Sequence, residues 1–257
     1  MTGVKMMKVN DENLYSINVK SAIYFSLKKL VFQNPLVYLY ARKLFRPDGL
    51  VTKTTKLVIE GYPRSANSYV EAAFRLTNGD DADFCHHIHN ASIAWDADKK
   101  GVPCIVLIRE PMKAVISYQN YLGGAANPNA LLKEWVIYYK FIKDKCPNAI
   151  VVGFDRAIND FNSVVDQLNK KHGSNFPYLD SGQYSSADVF AKVDELSRIR
   201  GSVRKTEPYS PFAGKNANDA YKDKLQLSSS EIRQKVDTLL LAQADELYAI
   251  FNKSEVV

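Results

Sequence analysis

Short continuous apolar runs alternate along this chain with stretches where apolar residues recur every three or four positions. The first pattern suits buried strands and the second suits amphipathic helices. Lys56 to Glu60 (KLVIE), Cys104 to Ile108 (CIVLI) and Ile150 to Phe154 predict strands, and Phe84 to His89 predicts another. Helices are predicted over Ser68 to Leu76, Ala91 to about Lys100, 111–121, 130–144 and 157–172. Pro111 suits the first turn of its helix, where a missing N–H leaves no hydrogen bond unmade. Residues 18–46 also read as helix. Ile23, Leu27, Leu30 and Val31 share one face, Pro35 breaks or kinks the run, and Leu36, Leu39, Tyr40 and Leu44 resume it. Residues 230–252 predict a closing amphipathic helix, with Ile232, Val236, Leu239, Leu240, Leu247 and Ile250 on one side. The stretches 173–187 and 201–219 lack periodicity and read as long loops. Strands alternating with helices predict an α/β fold: a three-layer sandwich with a central, mainly parallel sheet flanked by helices. The chain divides into a basic amphipathic helical segment, 1–50, and a body, 51–257.

Composition adds bounds to this picture. Hydrophobic residues make up 46% and charged residues 24%, a globular balance that excludes a disordered or fibrous chain. Cys85, Cys104 and Cys146 show neither a disulfide framework nor zinc spacing, which favours a reducing, cytoplasmic setting. Met1 to Lys20 is polar, so no signal peptide is expected, and no apolar run is long enough for a transmembrane helix. The net charge is +6, yet residues 1–56 carry ten Lys/Arg against three Asp/Glu, and the remainder sums to −1. A nucleic-acid coat is therefore not expected. The basic segment 18–46 either packs on the body with its lysines in solvent or makes a peripheral contact with an anionic membrane.

Two segments carry candidate chemistry. Gly61 to Asn67 (GYPRSAN) lies between a predicted strand and a predicted helix, which aims backbone amides and a helix N-terminus at one point. Arg64 adds fixed positive charge, and Ser65, Asn67 and Ser68 add donors. The loop lacks the Gly-Lys-Ser/Thr ending of a Walker A motif. The bland reading is a helix start with ordinary capping. In the second segment Arg109 follows the clearest strand, at the end where parallel sheets bind ligands, and Ser117 lies two helical turns later. A guanidinium and a hydroxyl so placed could grip one phosphate. The bland reading is a salt-bridged Arg and a Ser bonded to its own helix.

Together the segments resemble the sulfotransferase family that uses 3′-phosphoadenosine 5′-phosphosulfate (PAPS). The family's first motif, Tyr/Thr-Pro-Lys/Arg-Ser-Gly-Thr-Thr between strand and helix, is matched by Tyr62-Pro63-Arg64-Ser65-Ala66-Asn67-Ser68, followed by Tyr69. The second motif, an Arg with Pro two and Ser eight residues on, is matched by Arg109, Pro111 and Ser117. The resemblance covers about residues 56–172 and, more faintly, 200–252. Ala66 departs from the usual Gly, and Asn67-Ser68 from Thr-Thr. The resemblance implies a P-loop NTPase-like fold, PAPS as sulfuryl donor with PAP as product, and no required metal. It implies that Arg64 and residues 65–69 hold the phosphosulfate, that Arg109 and Ser117 hold the 3′-phosphate, and that a further basic loop near the C-terminus covers it, for which Arg204 and Lys205, or Lys215, are the candidates.

Three of the four histidines lie in Cys85-His86-His87-Ile88-His89. On a strand, His87 and His89 would share one face, away from Phe84, His86 and Ile88. Sulfuryl transfer needs a base near neutral pH, a role suited to histidine. The family carries its catalytic histidine between the two motifs, so His87 is the expected base, His89 the alternative and His86 a third choice. Asp81, Asp83 and Cys85 complete no metal-ligand spacing with these histidines, so no metal is expected. The expected acceptor is a hydroxyl of a small molecule or glycan, including a glycolipid if residues 18–46 meet a membrane. A P-loop-type kinase and a non-catalytic nucleotide-binding protein are the alternatives.

Overall fold

A computed structural model of the protein describes residues 34–45, 49–122, 126–200 and 229–254. The chain divides into two units, Met1–Pro47 and Asp48–Val257. In the first, helix α1 (Pro35–Phe45) begins at its proline. The Asn34 side chain caps it, accepting from the amides of Leu36 at 3.2 Å and Val37 at 3.3 Å. Arg42 and Lys43 fall in the last turn, where positive charge offsets the helix dipole. The helix expected over 18–46 is thus observed from Pro35 to Phe45, and residues 18–33 lie outside the described residues.

The second unit is built on four parallel strands: β1 (Leu57–Gly61), β2 (Phe84–His86), β3 (Cys104–Ile108) and β4 (Ile150–Gly153). Their spatial order is β2-β1-β3-β4. Side-chain alternation divides each strand between two helical layers. Leu57 and Ile59, Ile105 and Leu107, and Ile150 and Val152 join one core with helices α2 (Asn67–Asn78), α7 (Phe161–His172) and α8 (Ser186–Ile199). Phe74 of α2 sits at its centre, edge-on to Phe84, Phe161 and Phe176. The other layer holds α3 (Ala91–Lys100), α4 (Pro111–Tyr121), α5 (Pro128–Lys145) and α9 (Thr238–Ser254). All five residues of β1 and of β3 are buried, which explains their unbroken apolar character.

The expected α/β architecture with a parallel sheet and flanking helices is therefore observed. Several boundaries differ. The predicted strand 84–89 stops at His86, because His87 and His89 adopt left-handed backbone (φ 58° and 54°) that no strand accommodates. The predicted helix 157–172 is two helices, α6 (Phe154–Asn159) and α7, separated at Asp160. The closing helix is interrupted as well: residues 229–235 are helical, and Asp237 then starts α9 by accepting from the amides of Leu239 and Leu240, each at 2.9 Å. Helix α8 lies in a part of the chain where no helix was predicted, although Ser185 and Asp188 form a reciprocal capping box there. No helix among the described residues is long and apolar enough to cross a membrane.

The strand order places one feature of the site. The chain leaves β1 toward β2 on one side and leaves β3 toward β4 on the other. The connections after these adjacent strands diverge and open a crevice at their C-terminal ends, where ligands of open parallel sheets bind.

Candidate functional site

Gly61 ends β1 so close to β3 that a Cβ there would lie 2.6 Å from the Leu107 carbonyl oxygen and 2.9 Å from Asn67 Oδ1. The chain then turns into α2 through Arg64 and Ala66, both left-handed (φ 70° and 77°). Each costs roughly 1–2 kcal/mol for a residue with a Cβ, so the surroundings must hold the loop. Buried tyrosines do so. The Tyr62 amide donates to Tyr139 Oη at 3.2 Å, and Tyr139 Oη donates to the Leu107 carbonyl at 2.6 Å. Tyr62 Oη donates to the Leu131 carbonyl at 3.0 Å, and Asn67 Nδ2 donates to the Tyr62 carbonyl at 3.2 Å. Ala66 is the N-cap residue of α2 and supplies no side-chain cap. The first-turn amides, which have no intrahelical acceptor, are left to an anion or to water.

The two motifs meet here. Arg64 Nε donates to Ser117 Oγ at 3.1 Å, and Arg109 Nη1 donates to the Arg64 carbonyl at 3.1 Å. The Arg109 guanidinium lies 4.1 Å from the centre of the Phe154 ring, and that of Arg64 lies 5.4 Å from the Tyr121 ring. Arg109 Nε is buried without a hydrogen-bond partner. Burial and the adjacent Arg64 charge both press the Arg109 pKa downward. Two cations forced together beside open amides are relieved by an anion.

The histidine segment forms a turn rather than a strand, and Glu60 pins it. This fully buried side chain accepts from the Ile88 amide through Oε1 at 2.9 Å and from the Asn90 amide through Oε2 at 3.1 Å. Burial pushes its carboxyl up to about 8, against the lowering effect of these N–H bonds. His89, held between the two pinned residues, meets the Gly61 carbonyl through Nδ1 at 2.9 Å. A carbonyl only accepts, so Nδ1 carries the proton and Nε2 offers a lone pair. Burial lowers His89 to about 4, helped by the neighbouring His87, so the ring is neutral near pH 7.

His87 faces elsewhere. Its Nε2 lies 2.9 Å from Ser68 Oγ, and its Nδ1 lies 2.8 Å from His86 Nδ1 and 3.2 Å from Glu71 Oε2. Glu71 comes from α2 and is fully buried. Its Oε1 accepts from Arg75 Nε at 2.8 Å and from Arg200 Nη2, and lies 3.2 Å from His86 Nε2. Burial opposes ionisation of Glu71, yet the His87 bond, the fields of both imidazoles and the Arg75 bond hold its carboxyl below the ordinary carboxylate range. Burial lowers His86 to about 3.

Of the residues singled out in the sequence, Arg64, Arg109 and Ser117 come together, and Ser68, His87 and His89 lie in the same neighbourhood through Gly61 and α2. The shared strand face expected for His87 and His89 is replaced by two left-handed residues of a turn. Ser65 and Asn67 are buried, so the loop presents their backbone rather than free side chains. Tyr69 is also core: its ring meets Phe190 and its hydroxyl donates to the Ile158 carbonyl at 3.2 Å. Arg204, Lys205 and Lys215 lie outside the described residues. Sequence reasoning passed over Glu60 and Glu71. The signal for both was an acid inside an otherwise apolar element, VIEG and YVEAAF. Glu71, His86 and His87 bring possible metal-ligating atoms within 4.8 Å of one another, a set that local spacing did not reveal. Comparison with family models and with curated proteins returns no match to the chain.

Proposed function

We propose that the protein transfers a sulfuryl group from PAPS to an acceptor hydroxyl, on a P-loop NTPase-like fold. The observation that carries this reading is the Arg64–Ser117–Arg109 linkage beside the uncapped start of α2, in the crevice between β1 and β3. It gathers in one place the residues of two motifs 45 positions apart. The donor supplies an activated sulfuryl group. Arg64 and the α2 amides would stabilise negative charge growing on the leaving phosphate, as preorganised donors do. Arg109 and Ser117 would hold the second phosphate of the nucleotide.

The base is best assigned to His89. Its Nδ1 is fixed by the Gly61 carbonyl and its Nε2 has no hydrogen-bond partner among the described residues. His87, the base expected from sequence, has its Nε2 committed to Ser68. His89 Nε2 would take the proton of the acceptor hydroxyl as the acceptor oxygen attacks sulfur. A glycan or other small-molecule acceptor is proposed, with residues 18–46 as a peripheral membrane contact.

Calorimetric titration with 3′,5′-adenosine bisphosphate in metal-free buffer tests the reading, with ATP and 5′-AMP as controls. Binding of the bisphosphate that is lost in Arg109→Ala supports it. Preference for ATP with magnesium would replace it with a kinase. Retained transfer in His89→Ala would remove His89 as the base.

A further inference from the structure

The side chains of Ser68, His87 and Glu71 take no part in the transfer step, and two proton arrangements connect them. Arg75 Nη2, 3.3 Å from His86 Nε2, can donate there and so set His86 Nδ1–H toward His87 Nδ1 and His87 Nε2–H toward Ser68 Oγ, whereas a proton on His87 Nδ1 reverses the chain. The reversed arrangement answers to Glu71 Oε2, which is buried without a hydrogen-bond partner and has His87 Nδ1 3.2 Å away. This oxygen gains a donor only if that nitrogen carries the proton, and a buried carboxylate oxygen left unpaired costs about 1–3 kcal/mol or more. With the proton on His87 Nδ1, His86 Nδ1 at 2.8 Å becomes an acceptor, and His86 Nε2–H points to Glu71 Oε1 at 3.2 Å. His87 Nε2 is then an acceptor, and its partner at 2.9 Å, Ser68 Oγ, must donate.

We infer that Ser68 is an activated nucleophile, with His87 as its base and Glu71 as the acid that orients the base, giving the protein a second, esterase-type activity. The order is the one covalent catalysis requires: a hydroxyl within reach of a base whose other nitrogen is held by a third group. Ser68 also lies in the first turn of a helix that follows a strand and a tight loop, beside amides that Ala66 leaves uncapped. Such amides suit the oxyanion formed when a hydroxyl attacks a carbonyl. The substrate class is a carboxylic ester bearing an acidic group, which the nearby Arg64 and Arg109 would attract. Ser68 Oγ bonds to the acyl carbon as its proton passes to His87 Nε2. The ester C–O bond breaks and the alcohol leaves with that proton. Water then hydrolyses the Ser68 ester, releasing the acid and restoring both residues.

An alkyl fluorophosphonate tests the nucleophile directly. Attack by Ser68 Oγ forms an O–P bond, breaks the P–F bond and releases fluoride, and the protein mass rises by one phosphonyl group. Labelling at Ser68 is expected, absent in Ser68→Ala, slowed about 100-fold or more in His87→Ala, and slowed more than about tenfold in Glu71→Gln. If Glu71→Gln fails to fold, judged by circular dichroism, Ser68→Cys replaces it: its alkylation by iodoacetamide should slow when His87→Ala is added. No label at Ser68, or labelling indifferent to His87, overturns the inference. Binding of 3′,5′-adenosine bisphosphate in the same samples reports the transfer reading separately.

Discussion

Helices α2 and α4 follow adjacent strands of one sheet and start on the same crevice, yet their N-termini are opposites. Helix α4 carries its own anion: the Glu110 carboxylate accepts from the Lys113 amide at 3.1 Å, and Pro111 removes one of the unpaired donors. Helix α2 begins at Ala66, in a left-handed conformation, with no side-chain cap and with Arg64 just ahead of it. Capping an N-terminus stabilises a helix by about 1 kcal/mol, so the open end of α2 is a sacrifice of stability. The contrast teaches where an incoming anion goes. One helix end is capped by a carboxylate, and the other has no side-chain cap and two arginines beside it.

The largest test of this contrast is Arg64→Ala. It should weaken 3′,5′-adenosine bisphosphate by about 100-fold, since it leaves a buried anion short of a charged partner. Titration calorimetry reads it, and an unchanged affinity would mean that the open end of α2 is not the anion site.

A second test uses pH, because the turn behind α2 is held by groups with displaced pKa values. His86 at about 3 and His89 at about 4 stay neutral in the folded state. Below their usual value of 6.5 the unfolded chain takes up protons that the folded chain refuses, so stability falls as pH drops from about 6.5 toward 4. Glu60, at about 8 against a usual 4.5, acts in the other direction. Between those values the folded state holds a proton that the unfolded chain has released, so stability falls as pH rises through that window. Each group contributes a slope of up to about 1.4 kcal/mol per pH unit. Thermal melts should peak near pH 6.5, and Glu60→Gln should flatten the alkaline limb and steepen the acidic one above about pH 4.5, where Glu60 had opposed the histidines. A melting curve that keeps rising to pH 9 would contradict the assignment.

Two substitutions exchange the character of the helix ends. Ala66→Asp places a carboxylate at α2, in a conformation that Asp tolerates better than Ala. Bisphosphate affinity should drop about tenfold with no loss of melting temperature. Glu110→Ala uncaps α4 and should cost about 1 kcal/mol, a melting shift of about 2–4 °C. Its nucleotide affinity should stay within about twofold, well under 1 kcal/mol. If Glu110→Ala instead disturbs binding as strongly as Ala66→Asp, the two ends are not distinct.

The apolar pattern was enough to read all four strands, because β1 and β3 are buried on both faces and tolerate few polar residues. Arg64 and Arg109 were brought to one site in the sequence only by the family resemblance; the β1–β3 pairing that sets them together is visible in the structure alone. What escaped notice depends on contacts between distant elements. Residues 84–89 look extended in sequence, yet backbone bonds to Glu60 force His87 and His89 into left-handed geometry. Glu71 sits among apolar residues of α2, and its meaning comes from His86, His87 and Arg200, none of which is near it in sequence. Helix α8 was missed although its capping box was present in Ser185 and Asp188, because the loop-like composition before it masked the start.

Gly61 has a consequence for how the molecule opens. With the Leu107 carbonyl 2.6 Å from where a Cβ would stand, any larger residue must wedge β1 away from β3. That pair is the middle of the sheet, so the strain would be released by breathing of the whole centre rather than by fraying at an edge. Amide hydrogen exchange in a Gly61→Ala protein would therefore accelerate first along the β1–β3 seam, before β4 loosens. The crevice and the most protected part of the fold would then be lost in one cooperative step.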